Sequence, residues 1–328
     1  MSKIRRPVLR YHGGKWRLAP WIISHFPEHR FYVEPYGGAA SVLLRKSRSF
    51  HEVYNDLDGG LVNLLSVIRD TNQMEELIEQ LKLTPFSREE FELSVQDSES
   101  TVEQARRTIV RSFMGFGSAA TNKNHKTGFR SKCHRRASTA GSDWKNYPES
   151  LRAVGERLHG VIIERRNAID LMRYQDSHET LFYIDPPYLH DTRHNGSERC
   201  YSHEMNTPDH EMMLSVIKRL DGMVVLSGYD NDLYNDCLTG WQKEYKSTVA
   251  DGRGRRVEVV WIKTPHANER MRQGAFKTHR ARTGKTEQSI QTAIQFLTNS
   301  GKKPNKSSVA RMTGISREQI SRRYSHLF

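Results

Sequence analysis

Cysteine is scarce in this 328-residue chain, and the three present, Cys133, Cys200 and Cys237, lie far apart with no Cys-x-x-Cys spacing. That excludes a disulfide framework and a cysteine-built zinc site, and it fits a reducing cytosol. Long apolar runs are missing as well. No stretch reaches the roughly 18 residues that a membrane span needs, and the opening MSKIRRPVLRYHGGK has no hydrophobic signal core. A soluble, cytoplasmic protein is expected, with no membrane partner. The fifteen histidines show neither His-Glu-x-x-His nor His-x-His spacing, so no metal is expected.

Negative charge is nearly absent from two segments. Lys263 to Phe328 carries 14 Lys or Arg against 3 Glu, a balance of +11, and Val102 to Arg136 carries 9 against Glu103 alone, +8. The whole chain is +13, so the remainder is −6. Two basic parts beside a mildly acidic one suit contact with a polyanion at two places and different work at a third.

What is present alternates between strand and helix. Trp16 to Phe26 has helical periodicity, and Phe31 to Glu34 (FYVE) reads as a short buried strand. The glycine turn PYGGAAS, Pro35 to Ser41, then leads into an expected apolar helix, SVLLRK. A second strand, His51 to Asp56, ends in an acid, and a helix runs from Gly60 to about Arg69. Strand, glycine turn, helix, strand, acid is the pattern of a mononucleotide-binding unit, the acid being placed for ribose hydroxyls. Met74 to about Gly160 is mostly helical. A cap at Thr101 with Gln104 opens the helix carrying Arg106, Arg107 and Arg111, and an aperiodic basic loop, Gly115 to Arg136, follows.

The strand pattern resumes at Val161–Glu164, Leu181–Ile184, Met223–Tyr229 and Val257–Lys263, with a helix expected to open on Thr207 as cap and Pro208 as its first residue. The fold class is therefore α/β, a doubly wound, mainly parallel sheet with a helical insert. Residues 1–70 and 160–265 make the core, 71–159 the insert, 266–285 a polar linker and 286–328 a helix-turn-helix. In the last, Gly314 allows the turn and Ser316 caps a recognition helix presenting Arg317, Gln319, Arg322 and Arg323 to DNA.

One turn carries chemistry. Leu181 to Ile184 runs straight into Asp185-Pro186-Pro187-Tyr188. A planar base with an exocyclic amine could stack on Tyr188 while its amine donates to the Asp185 carboxylate and to the Pro186 carbonyl, whose direction the prolines restrict. Such acceptance localises the nitrogen lone pair, making it able to attack an electrophilic methyl group. A base inside a duplex reaches this turn only by flipping out.

The Asp-Pro-Pro-Tyr turn, with EPYGGAAS and RYHGGK upstream and LSGYDN downstream, resembles the Dam-like, α-type DNA adenine-N6 methyltransferases over most of residues 7 to 265. That resemblance implies S-adenosyl-L-methionine as cofactor and double-stranded DNA as partner. Tyr11 and Lys15 match the amino-terminal cofactor motif, Glu34 and Tyr36, Gly37, Gly38 and Ala39 the methionine-binding loop, and Asp56 the ribose acid. Asp185, Pro186, Pro187 and Tyr188 match the catalytic motif, with Asp185 near cofactor and amine alike. The loop departs from the family's usual Phe-x-Gly-x-Gly. The insert becomes a target-recognition segment, whose candidate DNA contacts are Arg111, Lys123, Lys126, Arg130, Lys132, Arg135 and Arg136. A phage or prophage origin without a partnered nuclease is implied too, with a monomer or weak dimer expected. Competing readings are an RNA adenine-N6 or DNA cytosine-N4 methyltransferase, and a DNA-binding regulator with a vestigial methyltransferase domain.

Overall fold

A computed structural model of the chain describes all residues except 1–3, 123–126, 132–138, 190–200, 202, 250–254, 265–286, 325–326 and 328. It divides into two compact units, Met1–Thr264 and Pro265–Phe328.

The first unit is built on a seven-stranded sheet. In chain order the strands are β1 (Phe31–Glu34), β2 (His51–Asn55), β3 (Val161–Glu164), β4 (Thr180–Ile184), β5 (Met223–Tyr229), β6 (Gln242–Val249) and β7 (Arg255–Lys263). Their order in space is β3-β2-β1-β4-β5-β7-β6. The first five of that row are parallel, whereas β7 runs antiparallel to both β5 and β6. Sequence periodicity had not marked Gln242–Val249 as a strand, because it is a largely exposed edge without apolar alternation.

The central strands are apolar throughout, as strands covered on both faces must be. Tyr32, Tyr54, Leu181, Tyr183, Val225 and Val260 point to one face, and Val33, Val53, Phe182, Ile184, Leu226 and Trp261 to the other. The first face is covered by α1 (Ala19–Ser24), α2 (Gly59–Arg69), α3 (Thr71–Leu83), α5 (Thr101–Met114) and α7 (Ser150–Leu158). The second is covered by α8 (Ala168–Tyr174), α9 (Thr207–Arg219) and α10 (Asp232–Cys237). Short α4 (Arg88–Leu93) and α6 (Ala140–Lys145) complete the run between β2 and β3, whose helices share one apolar cluster with the sheet.

Three local expectations change. SVLLRK forms successive turns, not a regular helix: Ala40 has φ +53°, and Arg45 N–H reaches only Val42 O. Helix α5 is capped by Ser100, which accepts from Glu103 N–H. Helix α9 is capped by Asn206 in a reciprocal pair with Asp209, with Thr207 already inside. In each case the residue one before the expected cap is the one whose side chain accepts from the third N–H of the helix.

The second unit contains three helices, α11 (287–299), α12 (Lys306–Thr313) and α13 (Arg317–Arg323), around Ile290, Leu297, Val309, Ile320 and Tyr324. Gly314 closes α12 in the left-handed conformation at φ +69°, where a side chain would be strained.

Candidate active site

The order in which strands are added reverses between the parallel neighbours β1 and β4: from β1 the chain winds outward through β2 and β3, then returns to β4 and winds the other way. Ligands of open α/β sheets bind at the carboxyl ends of the strands beside such a switch. A cavity of roughly 900 Å³, counting its mouth, lies there. Tyr11, Lys15, Glu34, Tyr36, Gly37, Gly38, Ala39, Asp56, Asp185 and Pro187 all line it, so residues drawn from four separate motifs face one space. Tyr201, His203, Glu204 and Met205 close another side. Sequence reasoning missed these four, whose segment has neither periodicity nor motif; only their place between Asp-Pro-Pro-Tyr and α9 could have flagged them.

The glycine turn is shaped by close approach. A Cβ on Gly37 would stand 2.1 Å from the Tyr54 ring, and the Tyr54 hydroxyl donates to Gly38 O at 2.7 Å. Gly38 itself has φ +50°, and its N–H donates to Asp56 Oδ2 at 2.8 Å. Asp56 Oδ1 accepts from Asp58 N–H at 2.8 Å. Burial raises the Asp56 pKa, opposed by those two N–H groups. The departure from the usual glycine spacing thus still yields a turn open to a ligand, fastened from below by a tyrosine.

Glu34 lies deeper. It accepts from the Tyr32 hydroxyl at 2.6 Å, and burial pushes its carboxyl up to about 8. Beneath the turn, Glu52 is held between Lys46 at 2.6 Å and Arg157 at 2.6 Å, and Arg157 also donates to Leu43 O at 2.8 Å. This buried group ties α7, the end of the helical run, to the start of β2 and to the segment after Ser41.

Lys15 reaches from the cavity wall to the Asp-Pro-Pro-Tyr segment. Its ammonium meets Asp185 Oδ1 at 3.0 Å, donates to Gly13 O at 2.8 Å and stands 4.7 Å from the centre of the Tyr188 ring. Burial would lower the Lys15 pKa, but Asp185 and then Glu258 outweigh it and the net shift is upward. Burial raises Asp185, partly offset by Lys15. Tyr188 stands beside the cavity: its hydroxyl donates to Glu258 Oε2 at 2.9 Å and its ring meets Tyr229 edge-on at 4.7 Å. Glu258 was not anticipated either.

Residues 11–252 match the D12 class N6 adenine-specific DNA methyltransferase family. The chain belongs to that family. It is an adenine-specific DNA methyltransferase, which uses a methyl donor and takes DNA as substrate. Among the described residues the methyltransferase has no group of His, Cys, Asp and Glu that could hold a metal, and no helix long and apolar enough to cross a membrane.

The expected DNA contacts are less uniform. Arg111 is buried, donating to Thr121 O at 3.0 Å and Ser94 O at 2.9 Å, and burial lowers its pKa to about 10. It fastens the start of the loop from inside, because the helix face that carries it turns inward; net charge in a sequence does not report that. Arg106 and Arg107 are paired with Glu103. Arg130 is half-buried, its N–H bonded to Met114 O. Lys123, Lys126, Lys132, Arg135 and Arg136 lie outside the described residues, as does the linker 266–285. Arg317 is exposed at the start of α13, and Gln319, Arg322 and Arg323 belong to that helix.

Proposed function

We propose that the protein transfers a methyl group from S-adenosyl-L-methionine to N6 of an adenine flipped out of double-stranded DNA, as a Dam-like enzyme of the host cytoplasm, of phage or prophage origin. The observation that carries this reading is the meeting of Lys15, Glu34, the Tyr36-to-Ala39 turn, Asp56 and Asp185 around one cavity at the switch point of the sheet.

The cavity fits that cofactor. Its size suits a nucleoside with an amino-acid tail. Each oxygen of Asp56 accepts one backbone bond and keeps capacity for a ribose hydroxyl. A glycine turn without side chains lets the tail lie against the backbone. The cofactor would supply an electrophilic methyl group. At the other end, Asp185 accepts from the target amine and Tyr188 offers a ring to the base, while the Lys15 ammonium favours the charged form of Asp185, the form that can accept. The product amine sheds a proton, which Asp185 or water can take.

DNA affinity is assigned to the basic segment following α5 and to the carboxyl-terminal unit, read as a helix-turn-helix with α13 as recognition helix. In favour of the first, Phe116 is 72% exposed beside that segment. In favour of the second, a three-residue turn with left-handed Gly314 separates α12 from α13.

The deciding experiment incubates the protein with methyl-labelled S-adenosyl-L-methionine and an adenine-containing duplex, then digests to nucleosides. Label in N6-methyladenine is expected. Label in cytosine, or none, would overturn the proposal.

A further inference from the structure

Strand β7 is antiparallel to β5, so its beginning, not its end, lies at the carboxyl edge of the sheet where the site is built. Tyr229, the last residue of β5, stands opposite Glu258 on β7. Glu258 alternates with Val259 and shares a face with Val260 and Ile262, which pack with Tyr183. That face is the one from which Lys15 approaches. A carboxylate is thus carried, 8% exposed, into a position behind the Asp-Pro-Pro-Tyr turn.

Its contact there is specific. The Tyr188 hydroxyl donates to Glu258 Oε2 at 2.9 Å. Burial first, then Asp185 and Glu258, raise the Tyr188 pKa well above the usual phenol value, so the hydroxyl stays protonated and is a donor. Tyr229 meets the same ring edge-on at 4.7 Å, and the Lys15 ammonium stands 4.7 Å from its centre. A tyrosine ring turns about two bonds. Stacking of a base needs the ring plane settled before the base arrives, otherwise ordering the ring costs affinity at the moment of reaction. A bond from hydroxyl to carboxylate at the far end of the ring supplies that constraint, and a charge-assisted bond is about twice as strong as a neutral one.

We infer that Glu258 is a positioning residue for methyl transfer: by accepting the Tyr188 hydroxyl proton from an antiparallel strand, it sets the ring against which the target adenine stacks. The inference rests on Tyr188 being the face that receives the base. Glu258 is assigned no contact with substrate or methyl donor: it sets the ring through Tyr188, and its charge also helps hold Lys15 protonated.

The test compares wild type, Glu258→Ala, Glu258→Gln, Tyr188→Phe and the Glu258→Ala/Tyr188→Phe double variant, with unmethylated plasmid DNA and labelled S-adenosyl-L-methionine. Glu258→Ala should lower kcat about ten- to hundredfold, with the KM for the methyl donor within about twofold. Glu258→Gln should recover much of the loss, because the amide oxygen still accepts. Tyr188→Phe breaks the same bond, and with it the hydroxyl's contact to Asp185, so it should be at least as slow as Glu258→Gln, and the double variant should be no slower than the slower single variant. A double variant whose losses multiply, a Gln variant as impaired as the Ala variant, or a loss confined to the KM for the donor would overturn the inference. If Glu258→Ala does not fold, Glu258→Gln and Tyr188→Phe still decide: a kcat for Tyr188→Phe equal to wild type overturns it. Absence of N6-methyladenine from the wild-type reaction would instead sink the reading on which it rests.

Discussion

Lys15 and Asp185, the end of the amino-terminal motif and the start of the Asp-Pro-Pro-Tyr segment, form an ion pair at 3.0 Å, the lysine buried and the aspartate partly so. One lies before the first strand of the sheet and the other after the fourth, and only the switch between β1 and β4 brings them together. Burial raises the Asp185 pKa and Lys15 opposes the rise. Lys15→Met removes the opposition, so the carboxyl titrates at higher pH. The acid limb of the kcat profile should move toward neutrality and activity at pH 7 should fall about tenfold or more. A pH–rate profile of the variant checks this; an unmoved acid limb would mean that Lys15 serves only to shape the cavity.

Glu34 gives a prediction about stability. Its carboxyl is pushed up to about 8 by burial, whereas in the unfolded chain it titrates near the ordinary 4.5. Between these values the folded state binds the extra proton, so stability falls as pH rises across that window. Glu34→Gln stays neutral, and the amide oxygen can still accept from Tyr32. The Tm of this variant relative to wild type should therefore increase by roughly 5 °C from pH 5 to pH 8. Thermal melts at the two pH values measure it, and a constant difference would contradict a protonated Glu34.

Asp56 should separate donor binding from chemistry. Asp56→Ala removes both the candidate ribose acceptor and the anchor of Gly38 N–H. The KM for the methyl donor should rise about ten- to hundredfold while kcat at saturation drops much less. Steady-state kinetics with varied donor tests the split. Equal loss in kcat at saturating donor would place Asp56 in the chemical step.

Gly37→Ala should cost both stability and donor affinity, because a Cβ 2.1 Å from the Tyr54 ring forces the turn or the ring to move. A Tm lower by several degrees and a KM at least about tenfold higher are expected. Thermal melts and donor titration report the two effects independently.

Removing residues 286–328 should weaken DNA binding about tenfold at moderate salt and reduce the dependence of affinity on salt, while methylation at high DNA concentration persists. Asp185→Ala should do the reverse, abolishing methyl transfer and sparing DNA binding. Fluorescence anisotropy at several salt concentrations measures the first pair. Unchanged affinity on truncation would deny the carboxyl-terminal unit a DNA role.

The parallel strands and the acids at their ends were legible because each is a local pattern, an apolar run closed by Glu34, Asp56 or Asp185. Glu258 was not, because strand direction is set by how β5, β6 and β7 pair, and an acid near the start of an antiparallel strand looks like any exposed charge. The same holds for burial: Arg111 reads as basic in the sequence, yet its helix turns it toward Ser94 and Thr121. SVLLRK has the composition of a helix and forms turns, entered from the left-handed Ala40 and with the carbonyl of Leu43 taken by Arg157, more than a hundred residues later. Distant partners decided each of these.

The hold of Arg157 on Glu52 and Leu43 has a practical side for anyone exchanging the helical run between β2 and β3. Excising residues 71–159 whole would take with it the clasp on the start of β2 and on the carbonyl of Leu43. A chimera should be spliced upstream of Ser150, so that α7 travels with the scaffold and only the middle of the helical run is exchanged.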